Sequence, residues 1–195
     1  MDLLLNAKYE EAKKTGILNV SNMGLTSLPD LPKSIIKLEC SRNQLTSLPD
    51  LPITLLKLSC SKNQLACLPN LPPNLVELRC SENQLVSLPP LPLSLKWLLC
   101  YVNKLTSLPD LPDTLLELLC SENQLLSLPT LPPNLTELIC FDNLLTSMPD
   151  LPVKLTVLIF FFNPWDDLFL DLFYTKNPIQ SVQEYYKSKK QSMKI

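Results

Sequence analysis

A chain of 195 residues is long enough for one domain, and its formal charge of -2 with no histidine lacks the basic surplus that phosphate-backbone binding needs. The composition is unusual in one direction, with 46% hydrophobic residues, 19 prolines, 7 cysteines and only 2 glycines. No apolar run reaches the ~18 residues of a membrane span, and the start, Met1-Asp2-Leu3-Leu4-Leu5, has no basic leader before a long apolar stretch, so neither stable membrane insertion nor a Sec signal peptide is expected.

In chain order, the first element predicted is a short amphipathic helix, because Leu5, Tyr9 and Ala12 recur at helical spacing before Gly16. Residues 1–16 are therefore read as an N-terminal cap. From Thr15 onward the chain repeats every 20 residues, with units opening at Ile35, Leu55, Leu75, Leu95, Leu115, Leu135 and Leu155. The unit from Ile35 reads I-I-K-L-E-C-S-R-N-Q-L-T-S-L-P-D-L-P-I-T, and its first eleven residues fit the template L-x-x-L-x-L-x-x-N-x-L of a leucine-rich repeat, with Cys40 in the third leucine slot.

Each part of the unit has a physical reading. Apolar and polar residues alternate around Leu38-Glu39-Cys40, the period of a short strand with one face buried. Stacked units place these strands in a parallel sheet on the concave face of a solenoid. Asn43 and its counterparts at 63, 83, 103, 123, 143 and 163 stand where the chain leaves the strand, where an amide satisfies turn backbone groups. Leu48-Pro49-Asp50-Leu51-Pro52 is too short a return for a useful helix, and its paired prolines favour an extended polyproline-II course on the convex side. Cys40, Cys60, Cys80, Cys100, Cys120 and Cys140 share one slot, so they are expected to be small buried hydrophobes; Cys67 stands outside this series, where other units have serine. No Cys-x-x-Cys cluster exists, so no metal site and no cofactor are expected.

Residues 17–163 are thus read as the repeat array, and residues 164–195 as a C-terminal helical cap with a basic tail. Asn163-Pro164 and Asn177-Pro178 resemble helix starts, the first followed by Trp165, Leu168, Phe169, Leu172 and Phe173 and the second by Ile179, Val182, Tyr185 and Tyr186. Lys187, Lys189, Lys190 and Lys194 are read chiefly as a solvated helix end.

The unit L-x-x-L-x-C-S-x-N-Q-L-T-S-L-P-D-L-P resembles the short repeats of bacterial leucine-rich-repeat effectors, the family typified by Yersinia outer protein M and the repeat domains of invasion plasmid antigen H type ligases, over roughly residues 18–163. The resemblance implies a protein made in the bacterial cytoplasm, secreted into a host cell and bound there to a host protein. The stretch after Asn163 is short and holds no cysteine, so the catalytic domain of the ligase members is not expected. The regular cysteine, where valine is commoner in typical members, points to a different lineage.

A binding site is expected on the outward side of the strands. The earlier units present charges of both signs, among them Lys57, Glu77 and Arg79. The later ones present an apolar strip of Trp97, Leu99, Tyr101, Leu119, Ile139 and Phe141, edged by acids such as Glu117. Trp and Tyr are enriched in interface hot spots, which favours a protein partner over plain surface. Ile159 and Phe161, beside the tail, are expected to be covered by the C-terminal cap. Catalysis is not expected, because no histidine exists to activate a thiol and acids such as Glu117 and Glu137 on adjacent strands are ordinarily solvated charges. The competing reading is a cytoplasmic scaffold or a homo-oligomer that masks the strip with a second copy.

Overall fold

The computed structural model describes residues 3–164, 179–182 and 184. One helix, α1 (Leu3–Thr15), is followed by eight three-residue strands: β1 (Ile17–Asn19), β2 (Lys37–Glu39), β3 (Lys57–Ser59), β4 (Glu77–Arg79), β5 (Trp97–Leu99), β6 (Glu117–Leu119), β7 (Glu137–Ile139) and β8 (Val157–Ile159). They form one parallel sheet in sequence order. Every strand pairs with the next in a register of one repeat, Leu18 beside Leu38, Leu38 beside Leu58, and so on to Leu158. The 20-residue period is therefore the structural period, and the fold is a leucine-rich-repeat solenoid. Ladder bonds continue past the strands: the Cys40 N–H donates to the Ser59 carbonyl at 2.8 Å and the Arg42 N–H to the Ser61 carbonyl at 2.9 Å.

The core follows from the template. In each coil the residues equivalent to Ile35, Leu38, Cys40 and Leu45 point inward, and all four of these are fully buried. The six periodic cysteines are free thiols at 0% exposure, whereas Cys67 is exposed. In this slot each thiol stands beside the equivalent positions of the neighbouring coils and acts as a small buried hydrophobe. Phe160 occupies the same slot in the last described coil and is 2% exposed.

The asparagine column forms a hydrogen-bonded ladder along one margin of the sheet. Asn103 is representative: its Nδ2 donates to the carbonyls of Cys80 (3.2 Å) and Cys100 (3.0 Å), and its Oδ1 accepts from the Leu85 N–H at 3.0 Å. One amide thereby joins two adjacent coils and pairs backbone groups that would otherwise be buried and unsatisfied. Asn163 closes the series, its Oδ1 accepting from the Leu145 N–H and its Nδ2 donating to the carbonyls of Cys140 and Phe160, so its amide serves the ladder. The residue before each asparagine of the column lies in the left-handed region, from Arg42 (φ 58°) through Lys62, Glu82, Val102, Glu122 and Asp142 to Phe162 (φ 55°), and Asn22 (φ 58°), which precedes Met23, takes the same conformation in the first coil.

A second ladder was not read from the sequence. The Thr54 hydroxyl donates to the carbonyls of Lys33 (2.9 Å) and Ile35 (2.7 Å), and Ser94 and Thr114 do the same one coil back from themselves. The signal was a column of Ser, Thr and Asn at positions 34, 54, 74, 94, 114 and 134.

At the N-terminus α1 buries Leu5, Tyr9 and Ala12 against the first coil, as expected of a cap, and the Tyr9 hydroxyl reaches the Pro29 carbonyl at 3.2 Å. Gly16 ends the helix at φ +74°, donating to the Ala12 carbonyl, while its own carbonyl accepts from Ile36 and Lys37. A Cβ here would meet Ile36 at 3.3 Å, so both conformation and space favour glycine. The convex returns, such as residues 44–56, contain no helix or strand. Beyond the array, residues 179–182 and 184 are helical and Val182 is fully buried, consistent with a helix opening after Asn177-Pro178. The helix expected from Trp165 to Phe173, with Tyr185, Tyr186 and the basic tail, lies outside the described residues.

Candidate interaction face

Because strand side chains alternate, the outward side of the sheet is built from columns repeating every 20 residues. One column runs Lys37, Lys57, Glu77, Trp97, Glu117, Glu137, and the next runs Glu39, Ser59, Arg79, Leu99, Leu119, Ile139, as the register shows. A third lies just past the strands and contains Ser81, Tyr101, Ser121, Phe141 and Phe161. Tyr101 is therefore not on β5 itself, yet it remains in the ladder, its carbonyl accepting from the Glu82 N–H at 2.9 Å.

The two halves of this face differ in how their charges are satisfied. On β2–β4 Lys37 pairs with Glu39 at 2.6 Å, Lys57 with Glu77 at 3.1 Å, and Lys62 with Glu82 at 3.1 Å; Arg79 also bonds Glu77. Burial alone would raise the Glu77 carboxyl, but the bonds from Lys57 and Arg79 outweigh it and hold it below its ordinary value. These exposed or half-exposed pairs contribute little stability each, and their effect is to neutralise this half internally.

On β5–β7 the acids lie in no ion pair among the described residues. Glu117 instead accepts a hydrogen bond from the Trp97 indole N–H at 3.2 Å. Trp97, Leu99, Tyr101, Leu119, Ile139, Phe141 and Glu117 are all half-buried rather than fully exposed, because neighbours about 4.8 Å apart across a sheet shield one another. Shielding also reaches the small residues: Ser81 and Ser121, which flank Tyr101 in the third column, are 1% and 4% exposed, while Ser41 and Ser61, beside no aromatic, are only half-buried. Phe141 stacks on Phe161 with centroids 5.1 Å apart, and Phe161 meets Phe162 edge-on at 4.9 Å. Ile159 is half-buried and Phe161 is 40% exposed, and most of the cap expected to cover them lies outside the described residues.

The structure brings Lys57, Glu77, Arg79, Trp97, Leu99 and Glu117 together around one depression of about 320 Å³ at the junction of the two halves. A neighbouring hollow of about 180 Å³, which includes Lys37 and Glu39, continues it over β2–β4. Tyr101, Leu119, Ile139 and Phe141 extend the apolar side away from this junction. A larger groove of about 630 Å³ lies between convex returns and is walled by Leu48, Pro49, Leu51 and Pro52 with Asp30 and Asp50. Its walls are the Leu-Pro frame common to many coils, so it offers less individual chemistry.

The thiols are not part of any such face. Burial pushes Cys40 and Cys100 up to about 12 and raises Cys60, Cys80, Cys120 and Cys140 well above the usual thiol range, which keeps them protonated and unreactive near neutrality. Among the described residues no group of three His, Cys, Asp or Glu is placed to hold a metal ion, and no helix is long and apolar enough to cross a membrane.

These features define a leucine-rich-repeat solenoid with a patterned, open sheet. Solved structures carry the comparison further. YopM from Yersinia enterocolitica WA-314 is 36% identical with a TM-score of 0.68, over 83% of this chain and 42% of that one. YopM from Yersinia pestis, a leucine-rich effector protein, is 30% identical with a TM-score of 0.71, over 83% and 54%. A Shigella effector leucine-rich-repeat domain is 35% identical with a TM-score of 0.80, over 87% of this chain and 80% of the domain. No family model and no curated relative matches the chain. The chain belongs to the bacterial leucine-rich-repeat effector family. It spans about half the length of the YopM chains and four-fifths of the Shigella domain.

Proposed function

We propose that this chain is a non-catalytic protein-interaction module, secreted by a bacterium into a host cell, that binds a host protein through the outward face of β4–β7. The observation that carries this reading is the meeting of an aromatic and aliphatic strip, led by Trp97 and Tyr101, with the charged depression at Lys57, Glu77 and Arg79. An apolar centre with a polar rim is the anatomy of a protein interface, and aromatic anchors supply much of the energy in such contacts. Kinship with effector repeat structures supports the same reading.

The test is affinity capture from eukaryotic cell lysate with the natural chain and with a Trp97→Glu, Tyr101→Glu variant matched by circular dichroism. A host protein retained by the first and lost by the second is the expected result. Identical captures, or none, would reject this face as the host-binding site. The exposure of Phe161 and Phe162, at 40% and 75%, favours a second reading in which copies of the chain associate through their C-terminal coils. Sedimentation analysis tests it: a strictly monomeric protein at high concentration rules it out.

A further inference from the structure

Resting on the interaction reading above, we infer that the segment docking on β5–β7 is basic as well as apolar, with Lys or Arg side chains flanking its hydrophobic anchors. The outward columns of β5–β7 hold Leu119, Ile139 and Phe141 along the centre, Glu117 and Glu137 on one side, and Glu122 and Asp142 on the other. This is an apolar channel between two rows of acid. Lys96 and Lys104 lie outside these columns, and Lys104 is directed to the Gln84 amide oxygen at 3.5 Å.

The contrast with β2–β4 makes the acids informative. There Glu39, Glu77 and Glu82 each have a cationic partner within the chain. None of Glu117, Glu122, Glu137 and Asp142 is ion-paired among the described residues, and Glu117 and Glu137 lie directly beside each other in the β6–β7 register. Like charges on adjacent strands repel, and a ligand that removes water from the channel without supplying cations would strengthen that repulsion. A basic segment relieves it while its apolar side chains cover Leu119, Ile139 and Phe141. An acidic segment, or a nucleic acid backbone, meets the same four carboxylates with the wrong sign.

The experiment uses the full chain and two short fluorescent peptides with identical Leu, Phe and Trp anchors, one interspersed with Lys and the other with Glu. Fluorescence anisotropy is expected to show the Lys peptide bound at least about tenfold more tightly, a preference that shrinks between about 50 and about 300 mM salt. The variant Glu117→Gln, Glu122→Gln, Glu137→Gln, Asp142→Asn should lose most of that preference. A second variant with the same change in charge on the convex side, Asp30→Asn, Asp50→Asn, Asp110→Asn, Asp113→Asn, should keep it. Equal binding of the two peptides, no binding, or equal losses in both variants would overturn the inference, the last by reducing it to net charge. A homodimer abolished by the first variant would place a second copy in the channel and overturn it too. If the peptides bind equally while the lysate capture still depends on Trp97 and Tyr101, the partner's charge is wrong and the interaction reading stands; if the Lys preference holds while no host protein is captured, the reverse is true.

Discussion

The Trp97 indole N–H donates to Glu117 Oε1 across the β5–β6 boundary at 3.2 Å, joining the first aromatic of the apolar strip to the first of the acids that edge it. The bond fixes the ring on the sheet and leaves the rest of the carboxylate open. Removing the acceptor in Glu117→Ala should cost about 1 kcal/mol and free the ring, whereas Glu117→Gln retains a side-chain oxygen and should lose less. In a Trp165→Phe background, Trp97 emission reports the change: a shift to the red is expected for Glu117→Ala and little for Glu117→Gln. Identical spectra for the two variants would mean that the bond does not position the indole.

The asparagine ladder should be far less tolerant. Asn103→Leu is close in size but strands the Leu85 N–H and the carbonyls of Cys80 and Cys100 at the margin between two coils. Each buried unpaired group costs on the order of 1–3 kcal/mol, so a loss of about 3 kcal/mol or more is expected. Urea unfolding provides the measurement, and a midpoint within error of the natural chain would remove the ladder from the account of stability. Since each coil contacts only its neighbours, the same substitution should also broaden the transition.

The periodic thiols make stability depend on alkali. Burial raises their pKa values from the usual value of 9.0, to about 12 for Cys40 and Cys100, so above pH 9 the unfolded chain releases protons that the folded chain retains. Their contribution is full below pH 9 and is lost as pH rises through the folded values. Each thiol should lose roughly 1 kcal/mol per pH unit in that window. Melting temperature should be flat from neutral pH to about 9 and then fall steeply, and Cys100→Ala should reduce the slope. A thiol reagent at neutral pH should label Cys67 alone in the folded protein and all seven cysteines after denaturation. Rapid labelling of the periodic series without unfolding would contradict their burial.

Val102 holds φ at +54°, in the left-handed slot where a β-branched side chain is strained and where the first described coil has Asn22. Substituting Val102→Asn should raise stability by about 1 kcal/mol, read as an increase of a few degrees in Tm. Because the side chain borders Tyr101 at the edge of the apolar strip, the same change should weaken any partner seated there. A more stable variant with undiminished binding would show that the strain has no functional counterpart.

Much of this was legible in the chain alone. A strict 20-residue period with Leu38, Cys40, Asn43 and Leu45 in constant places determined the solenoid, the parallel register, the burial of the thiols and the structural role of asparagine, because every coil must satisfy the same inward side chains and the same margin in one turn. The outward columns were legible as a list, which is how Trp97, Tyr101 and Lys57 entered the candidate site. Only the tertiary structure decided how those columns share solvent and charge: that the strip is half-buried by its own neighbours, that Glu77 is occupied by Lys57 and Arg79 while Glu117 takes the Trp97 indole, and that Val102 sits at positive φ. Periodicity specifies which way a side chain points. Which partner it meets depends on distances of a few ångströms between residues 20 apart, and those are set by the stacking of whole coils.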